Sequence, residues 1–267
     1  MRTPPAPGPG QPLLVHGTVG EWAARPPGLS PPVRTPPALG PGQPLLVHGT
    51  VEEWAARADA HPGHPDDAER LDALRDDRMR RRFRASRLLI RTTLGALCGR
   101  DPDRVRLART ALGRPYASDL PELDFSLSHT GSLLAVAVLR GGRVGVDAER
   151  PGRPMSVLEH RMCTPYERAG LDARGLRGAA RDAELLRLWT LKEAYTKALG
   201  TGLRHPPRTF GLDAADPAGR PVLRDAAGIP LTGRLTTATH VLGGVLVSVV
   251  AARPSREPVE FEPGSSR

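Results

Sequence analysis

FSLSHTGSLLAVAVLRGGRVGVDAE, residues 125–149, is the stretch that decides the fold. Its apolar and β-branched runs predict three strands, at Phe125–Ser128, Leu133–Leu139 and Arg143–Glu149. Glycines between the runs, at Gly131 and at Gly141-Gly142, supply the turns. Short glycine turns between consecutive strands are typical of antiparallel pairing, so this stretch predicts a three-stranded meander.

Helices and further strands are predicted on both sides of this stretch. Before it, the residue pattern predicts a strand at Leu45–His48, helices at Pro65–Leu74 and Met79–Leu97, and a strand at Val105–Ala108. After it, the pattern predicts helices at Val157–Leu171 and Asp182–Leu199, then strands at Arg208–Leu212, Leu231–Thr237 and Val241–Val250. Each half combines helices with a small, mostly antiparallel sheet. The predicted fold class is therefore α+β, with two similar lobes.

The domain organisation follows from these patterns. We expect an N-terminal lobe at 44–142, a C-terminal lobe at 143–253 and a loose polar tail at 254–267. Residues 1–43 are rich in proline and glycine and are predicted to be disordered. A duplication begins in this region, since Arg2–Arg25 recurs with two differences as Arg34–Arg57, which runs on into the N-terminal lobe. Two copies are too few for a solenoid, which favours a recent tandem duplication.

Composition excludes several classes of protein. The chain has 267 residues, of which 39% are hydrophobic and 25% charged, as expected for a globular protein. It has no apolar run of about 18 residues, so no membrane-spanning helix is predicted. Its N-terminal sequence lacks the apolar core of a secretory signal. Two cysteines, Cys98 and Cys163, form neither a disulfide framework nor a zinc site by themselves. The expected location is the reducing cytoplasm.

The charge balance indicates an anionic ligand or partner. Lys and Arg total 38 against 29 acidic residues, giving a net charge of +9. Such a charge attracts nucleic acid, phosphorylated cofactors or acidic proteins. The alternative is genomic base bias, because arginine belongs to a GC-rich codon family. The chain contains only two lysines, Lys192 and Lys197, and both fall in one short segment.

Three segments contain candidate functional residues. In the strand Arg143–Glu149, alternation puts Asp147 and Glu149 on one face, where two carboxylates suit a divalent cation. The alternative is a pair of solvated acids at a strand end. In the helix Asp182–Leu199, Glu193 and Lys197 are four residues apart and share a face. The alternative there is an ordinary surface ion pair.

The third segment is the Ser-His-Thr-Gly turn at 128–131. Ser126 and Ser128 point away from Phe125 and Leu127, and hydroxyls, imidazole and free N–H groups in such a turn can hold phosphate oxygens. The alternative is a cluster that only stabilises the turn. Upstream, Gly113-Arg114-Pro115 places an arginine in a rigid loop. The predicted helix Met79–Leu97 and the residues before it supply further cationic charge, from Arg78 to Arg91.

Taken together and in order, these motifs resemble those of a known enzyme family. The order is GRP at 113–115, FSLSHTG at 125–131, VGVDAER at 144–150 and WTLKEAYTKALGTGL at 189–203. It is similar to the 4′-phosphopantetheinyl transferases, in particular to their monomeric, two-lobed group. The resemblance covers roughly residues 74–250. It implies an active site between the lobes and Mg²⁺-dependent transfer of 4′-phosphopantetheine from coenzyme A to a serine of an apo acyl or peptidyl carrier protein. The second product would be adenosine 3′,5′-bisphosphate.

The resemblance also assigns roles to the acidic residues and the lysine. It implies that Asp147, Glu149 and Glu193 bind Mg²⁺, or Mn²⁺, together with the pyrophosphate of coenzyme A. Glu193 would be the base that deprotonates the carrier serine, and Lys197 would stabilise the transferring phosphate and the leaving group. Asp147, Glu193 and Lys197 are thus the expected catalytic residues. Ala148, between the two acids of the strand, cannot reach a metal.

Coenzyme contacts are implied for residues of the first lobe. Ser128 and His129 are expected to contact the coenzyme A phosphates, and Arg114 the adenosine end. Arg91 matches a helix arginine of the family. The cationic stretch Arg78–Arg84 would lie near the 3′-phosphate.

Two other hypotheses remain open at this point. The charge and the arginine-rich helix would suit a nucleic-acid-binding protein, but only 4% of residues are aromatic, and no helix-turn-helix, zinc or RNP-like signature is present. The second hypothesis is a catalytically silent member of the family that binds coenzyme A or a carrier protein. We expect a monomer that binds neither nucleic acid nor a membrane.

Overall fold

The computed structural model describes residues 39, 42–61, 63–215, 221–225 and 234–253. Its helices are α1 (Val51–Asp59), α2 (Ala68–Asp72), α3 (Asp77–Cys98), α4 (Glu159–Met162), α5 (Pro165–Ala173) and α6 (Gly178–Leu199). Its strands are β1 (Leu45–Thr50), β2 (Leu107–Arg109), β3 (Pro115–Ala117), β4 (Leu123–Thr130), β5 (Leu133–Arg140), β6 (Arg143–Glu149), β7 (Phe210–Ala215), β8 (Pro221–Asp225), β9 (Arg234–Leu242) and β10 (Val245–Arg253). In these ranges, no helix is long and apolar enough to cross a membrane.

The first lobe is built on a three-stranded antiparallel sheet in the order β1-β5-β4. One face of this sheet packs against α1 and α3, and Trp54, Leu89 and Phe125 are buried there. Helix α3 starts where Asp76 accepts a hydrogen bond from the Met79 N–H, and it ends at Gly99 in the left-handed conformation. Strands β2 and β3 form a separate small hairpin.

The second lobe has its own three-stranded antiparallel sheet, in the order β6-β10-β9. Helix α6 packs on one face of it, against β6 and β10. The other face meets the first sheet in a shared apolar core that includes Ala135, Ala137, Val146, Val247 and Val249. The two lobes are therefore joined through buried sheet faces, and β4 and β6 meet edge to edge.

The α+β class and the two small antiparallel sheets are confirmed, but the predicted meander is wrong. β4 and β5 form a hairpin as expected. β6 leaves that sheet and pairs with β10 near the C-terminus of the described chain. The backbone N–H groups on the free edge of β6 are satisfied by side chains of β4, so continued pairing with β5 is not required.

Three local predictions also need correction. The single strand expected at Val241–Val250 is a hairpin, because Gly243 and Gly244 adopt positive φ and form a turn between β9 and β10. The helix expected at Val157–Leu171 is interrupted where Thr164 caps α5 and Pro165 occupies its first turn. The loop expected around residue 115 contains β3. The predicted disorder at 1–43 and the predicted tail at 254–267 lie outside the described residues, except for 39, 42 and 43.

Candidate active site

The junction between β4 and β6 is a ladder in which side chains replace a strand partner. Alternate residues of β4 accept hydrogen bonds from alternate backbone N–H groups of β6. The pairs are Asp124 Oδ2 with Val144 N at 2.7 Å, Ser126 Oγ with Val146 N at 3.1 Å, and Ser128 Oγ with Ala148 N at 3.2 Å. This arrangement sets the register between the lobes and brings Ser128 beside Asp147.

Helix α6 lies very close to the face of β6 that is turned away from the apolar core shared by the two sheets. A Cβ on Gly145 would come within 1.7 Å of the Ala194 carbonyl oxygen, so only glycine permits this approach. Gly145 and Asp147 share one face of the strand. The close packing therefore presents the last two turns of α6, with Glu193 and Lys197, to the carboxylate of Asp147.

Lys197 forms the centre of a polar cluster at the lobe junction. Its Nζ donates to Asp147 Oδ1 at 2.7 Å, to the Val146 carbonyl at 3.1 Å and to Ser128 Oγ at 3.2 Å. The Ser128 hydroxyl donates to the same Oδ1 of Asp147 at 3.1 Å. The other oxygen, Asp147 Oδ2, is buried and has no hydrogen-bond partner among the described residues. A buried carboxylate oxygen left unpaired favours the binding of a cation.

The charges of the three predicted metal ligands affect one another, but their side chains are not grouped closely enough to form a metal site. Burial raises the pKa of Glu193, and the negative charges of Asp147 and Glu149 raise it further, while Lys197 opposes the shift. Glu149 pairs with Arg153 at 3.0 Å. The described part of the chain contains no group of three or more His, Cys, Asp or Glu side chains close enough to hold a metal ion. The donor types suit a hard divalent cation, and the unpartnered Oδ2 of Asp147 is the observation that fits one.

His129 lies next to this cluster and reaches the surface. Partial burial lowers its pKa, and the positive charges of Arg82 in α3 and Lys197 lower it further. The imidazole is therefore biased toward its neutral form, between a cationic helix and the Lys197 cluster. This position is compatible with the predicted contact to phosphate.

Arg114 occupies the junction itself. Its guanidinium binds both carboxylate oxygens of Asp124, at 2.6 and 2.7 Å, and donates to the Lys197 carbonyl at 2.9 Å and the Val144 carbonyl at 3.0 Å. All three of its side-chain nitrogens thus bind protein acceptors. The predicted contact with the adenosine end of coenzyme A stays a prediction.

Arg91 lies at a different pocket, beside α3, that is lined by both arginines and aspartates. It is 3% exposed, donates to the Val105 carbonyl and pairs with Asp67, while its Nη2 is buried without a partner among the described residues. A cavity of about 690 Å³ adjoins it, lined by further arginines of the same helix. One of them, Arg87, has its pKa lowered to about 10 by burial. The structure therefore does not bring Arg91 into the Lys197 cluster.

Sequence reasoning missed three residues that organise the site. Lys192, in the same motif as Lys197, is only 1% exposed and donates to Glu167 Oε2 at 2.6 Å and to three backbone carbonyls, so it holds α6 to its neighbours. Asp124 and Gly145 are the others. Both could have been found from strand alternation, because each lies on the same face as a predicted site residue, Asp124 with Ser128 and Gly145 with Asp147.

Comparison with known proteins gives matches across both lobes. Residues 143–241 match the 4′-phosphopantetheinyl transferase superfamily, and residues 50–140 match the N-terminal region of 4′-phosphopantetheinyl transferase. The chain is 36% identical to 4′-phosphopantetheinyl transferase HetI of Nostoc sp. over 129 residues, which are 46% of this chain and 54% of that protein. It is 34% identical to a phosphopantetheinyl transferase of Thraustochytrium sp. over 163 residues, 56% of this chain and 55% of that protein.

The matched region spans about half the length of these curated relatives. Among solved structures, a holo-(acyl-carrier-protein) synthase of Bacillus anthracis in complex with CoA (3′,5′-ADP) is 25% identical, covering 42% of this chain and 96% of its own, with a TM-score of 0.34. Because this TM-score is low, the family assignment rests on the matches to the family models and not on this structure. On those matches and the motifs that form the lobe junction, the chain belongs to the 4′-phosphopantetheinyl transferase superfamily.

Proposed function

We propose that this protein transfers 4′-phosphopantetheine from coenzyme A to a serine of an apo acyl or peptidyl carrier protein. The observation that carries the proposal is the cluster of Lys197, Asp147 and Ser128 at the lobe junction, with the buried and unpartnered Oδ2 of Asp147. It combines a cation and a hydroxyl, which can contact a pyrophosphate, with a carboxylate that can hold a divalent cation beside it.

The proposed reaction is a substitution at phosphorus. The serine Oγ forms a bond to the phosphorus that bears the pantetheine arm, and the bond from that phosphorus to the bridging pyrophosphate oxygen breaks. The bridging oxygen and its electron pair leave on adenosine 3′,5′-bisphosphate. Glu193 accepts the proton of the serine hydroxyl, and Lys197 neutralises charge on the transferring phosphate and the leaving oxygen.

Asp147, Glu149 and Glu193 would hold a Mg²⁺ or Mn²⁺ ion, since oxygen ligands from carboxylates are those that these cations prefer. When bound, the ion would neutralise the pyrophosphate charge. The protein supplies the carboxylates from two elements, β6 and α6, that Gly145 holds in close contact.

Coenzyme binding is proposed for two regions of the first lobe. Ser128 and His129 would contact the phosphates beside the Lys197 cluster. Five arginines of α3, including Arg91, line a cavity of about 690 Å³ together with four aspartates, and we propose that the arginines there bind an anionic group. The net charge of +9 also favours an acidic carrier protein. We further propose a cytoplasmic monomer.

The test is transfer by Glu193→Gln and Asp147→Ala variants, measured as holo-carrier formed from apo-carrier, coenzyme A and Mg²⁺. Both variants should lose at least about 100-fold in turnover, because Glu193→Gln removes the base for the serine hydroxyl and Asp147→Ala removes a ligand of the cation. Glu52→Gln changes an exposed acid on α1 and serves as the matched control. Unchanged turnover in either active-site variant, from a preparation free of wild-type enzyme, would contradict the proposal.

A further inference from the structure

Arg114 and Asp124 form a buried ion pair within the first lobe. Their side chains are 8% and 10% exposed, and both Nη atoms of the guanidinium bind the carboxylate in the bidentate arrangement. Such a pair has a defined geometry, since the planar guanidinium matches the two carboxylate oxygens. Both residues also bind the second lobe.

The guanidinium of Arg114 binds the end of helix α6. Its Nε donates at 2.9 Å to the Lys197 carbonyl, which also accepts the Gly200 N–H at 3.1 Å and lies in the last turn of the helix, where cations are favoured. The helix stops at Gly200, which has φ of 76° and lies beside the Arg114 side chain. A cation from the first lobe therefore caps the helix that carries Glu193 and Lys197.

The same pair also binds the start of strand β6. The Val144 N–H donates to Asp124 Oδ2 at 2.7 Å, and the Val144 carbonyl accepts from Arg114 at 3.0 Å. Both backbone groups of Val144 are thus held by the pair. Asp147 lies three residues further along the strand, at a distance of about 10 Å in extended backbone.

One pair of side chains therefore holds both elements that meet at the proposed site. The 2.7 Å contact between Lys197 and Asp147 depends on the placement of α6 relative to β6. Misplacement of reacting groups by about 1 Å can lower a rate by about 100-fold. Arg114 and Asp124 thus contact backbone groups of both elements that carry the proposed site residues.

We propose that Arg114 and Asp124 are positioning residues for the transfer reaction, and that they align α6 and β6 instead of binding the adenosine end of coenzyme A. This inference rests on the proposed function. The two roles of Arg114 predict different kinetics. Loss of alignment lowers kcat, whereas loss of a coenzyme contact raises KM for coenzyme A. A variant of Asp124 also distinguishes the two roles, because a carboxylate is not expected to contact the anionic coenzyme.

The experiment compares Arg114→Lys and Asp124→Asn with wild type, at varied coenzyme A and saturating apo-carrier. Each variant should lower kcat by about 10- to 100-fold and leave KM for coenzyme A within about 3-fold. Arg140→Lys is the control. It alters an exposed arginine of β5, in the sheet that contains Asp124, where Arg140 pairs with Glu122 at 3.6 Å, and it should behave as wild type. Thermal unfolding of each variant shows whether it remains folded at the assay temperature.

A rise of 10-fold or more in KM for coenzyme A with kcat retained in Arg114→Lys would overturn the inference, as would unchanged kcat in Asp124→Asn. Hydrogen–deuterium exchange provides a readout that does not depend on turnover. In Asp124→Asn, exchange should accelerate in both 143–149 and 194–200, and acceleration in neither or in only one also overturns the inference. Absence of transfer by wild-type protein contradicts the proposed function instead, and the exchange experiment still tests the alignment.

Discussion

The carbonyl oxygen of Ala194 lies over the α-carbon of Gly145, so close that a Cβ at residue 145 would come within 1.7 Å of it. Neither residue carries a functional side chain. Their contact nevertheless sets the spacing of helix and strand across which Lys197 reaches Asp147 at 2.7 Å. A backbone contact is thus a precondition for the geometry of the candidate site.

Gly145→Ala should impair both activity and stability. The added methyl group forces α6 away from β6, which costs about 1–3 kcal/mol in the free energy of unfolding. Turnover should fall by about 100-fold or more, because Lys197 and Glu193 move relative to Asp147. Steady-state kinetics and urea unfolding measure the two effects.

Gly244→Ala is the matched control for this variant. Gly244 has φ of 79° and open space around its Cβ position, so alanine there costs about 1 kcal/mol through backbone strain alone. It should destabilise the protein and leave turnover within about 2-fold. Equal loss of turnover in both variants would show that destabilisation, and not the spacing of β6 and α6, limits activity.

The two lysines should respond in opposite ways to replacement by methionine. Lys192 is buried and paired with the fully buried Glu167, so Lys192→Met leaves an uncompensated charge and should cost about 3–5 kcal/mol in stability. The Lys197 side chain is 30% exposed, but that of its partner Asp147 is only 10% exposed, so Lys197→Met should cost about 1–3 kcal/mol, less than Lys192→Met.

The expected effect on transfer activity is larger for the Lys197 variant than for the Lys192 variant. Lys197→Met should abolish most transfer while the protein stays folded, because its ammonium acts on the reacting phosphate. Denaturant unfolding and transfer assays on both variants provide the test. If Lys192→Met unfolds at the wild-type midpoint, the structural role assigned to its four contacts is wrong.

A divalent cation should stabilise the folded protein through the acidic residues. Mg²⁺ at about 100 times its dissociation constant would add about 2.7 kcal/mol and raise the unfolding temperature. Asp147→Asn and Glu193→Gln should lose this response, as measured by thermal unfolding with and without MgCl₂. An equal Mg²⁺-induced shift in wild type and Asp147→Asn would place the cation elsewhere.

Stability should also depend on pH through Glu159. Its hydrogen bonds with Arg181, at 2.5 and 2.8 Å, lower the pKa of the Glu159 carboxyl. The folded protein therefore favours the ionised form, and this contribution is complete above the ordinary pKa of 4.5 and is lost as the pH falls through the lowered value. Glu159→Gln should flatten the decline of stability in acid, and an unchanged pH profile would count against the pair.

The sequence was sufficient where local periodicity decides the outcome. Alternation along Arg143–Glu149 correctly separated Val144 and Val146 from Asp147, because neighbouring side chains on a strand face opposite sides. The sequence motif did not show that its two lysines have different roles. Lys192 and Lys197 are five residues apart and lie about 140° apart around a helix, so one enters the core and the other reaches the site.

Long-range contacts are the part that the sequence could not supply. The hydrogen bond from Arg114 to the Lys197 carbonyl joins residues 83 positions apart. Likewise, the glycine turn at Gly141-Gly142 indicated that β6 would pair with β5, whereas β6 pairs with β10. Local patterns predict which face a residue occupies, but the partner strand depends on packing across the whole chain.

The most direct test of the central claim is intact-protein mass spectrometry of an apo carrier protein. The carrier is incubated with this protein, coenzyme A and Mg²⁺, with a parallel sample in EDTA. We predict that the carrier gains the mass of one phosphopantetheine in the Mg²⁺ sample and none in EDTA. No gain on fatty-acid, polyketide or peptide carriers, from folded protein that binds coenzyme A, would contradict the account.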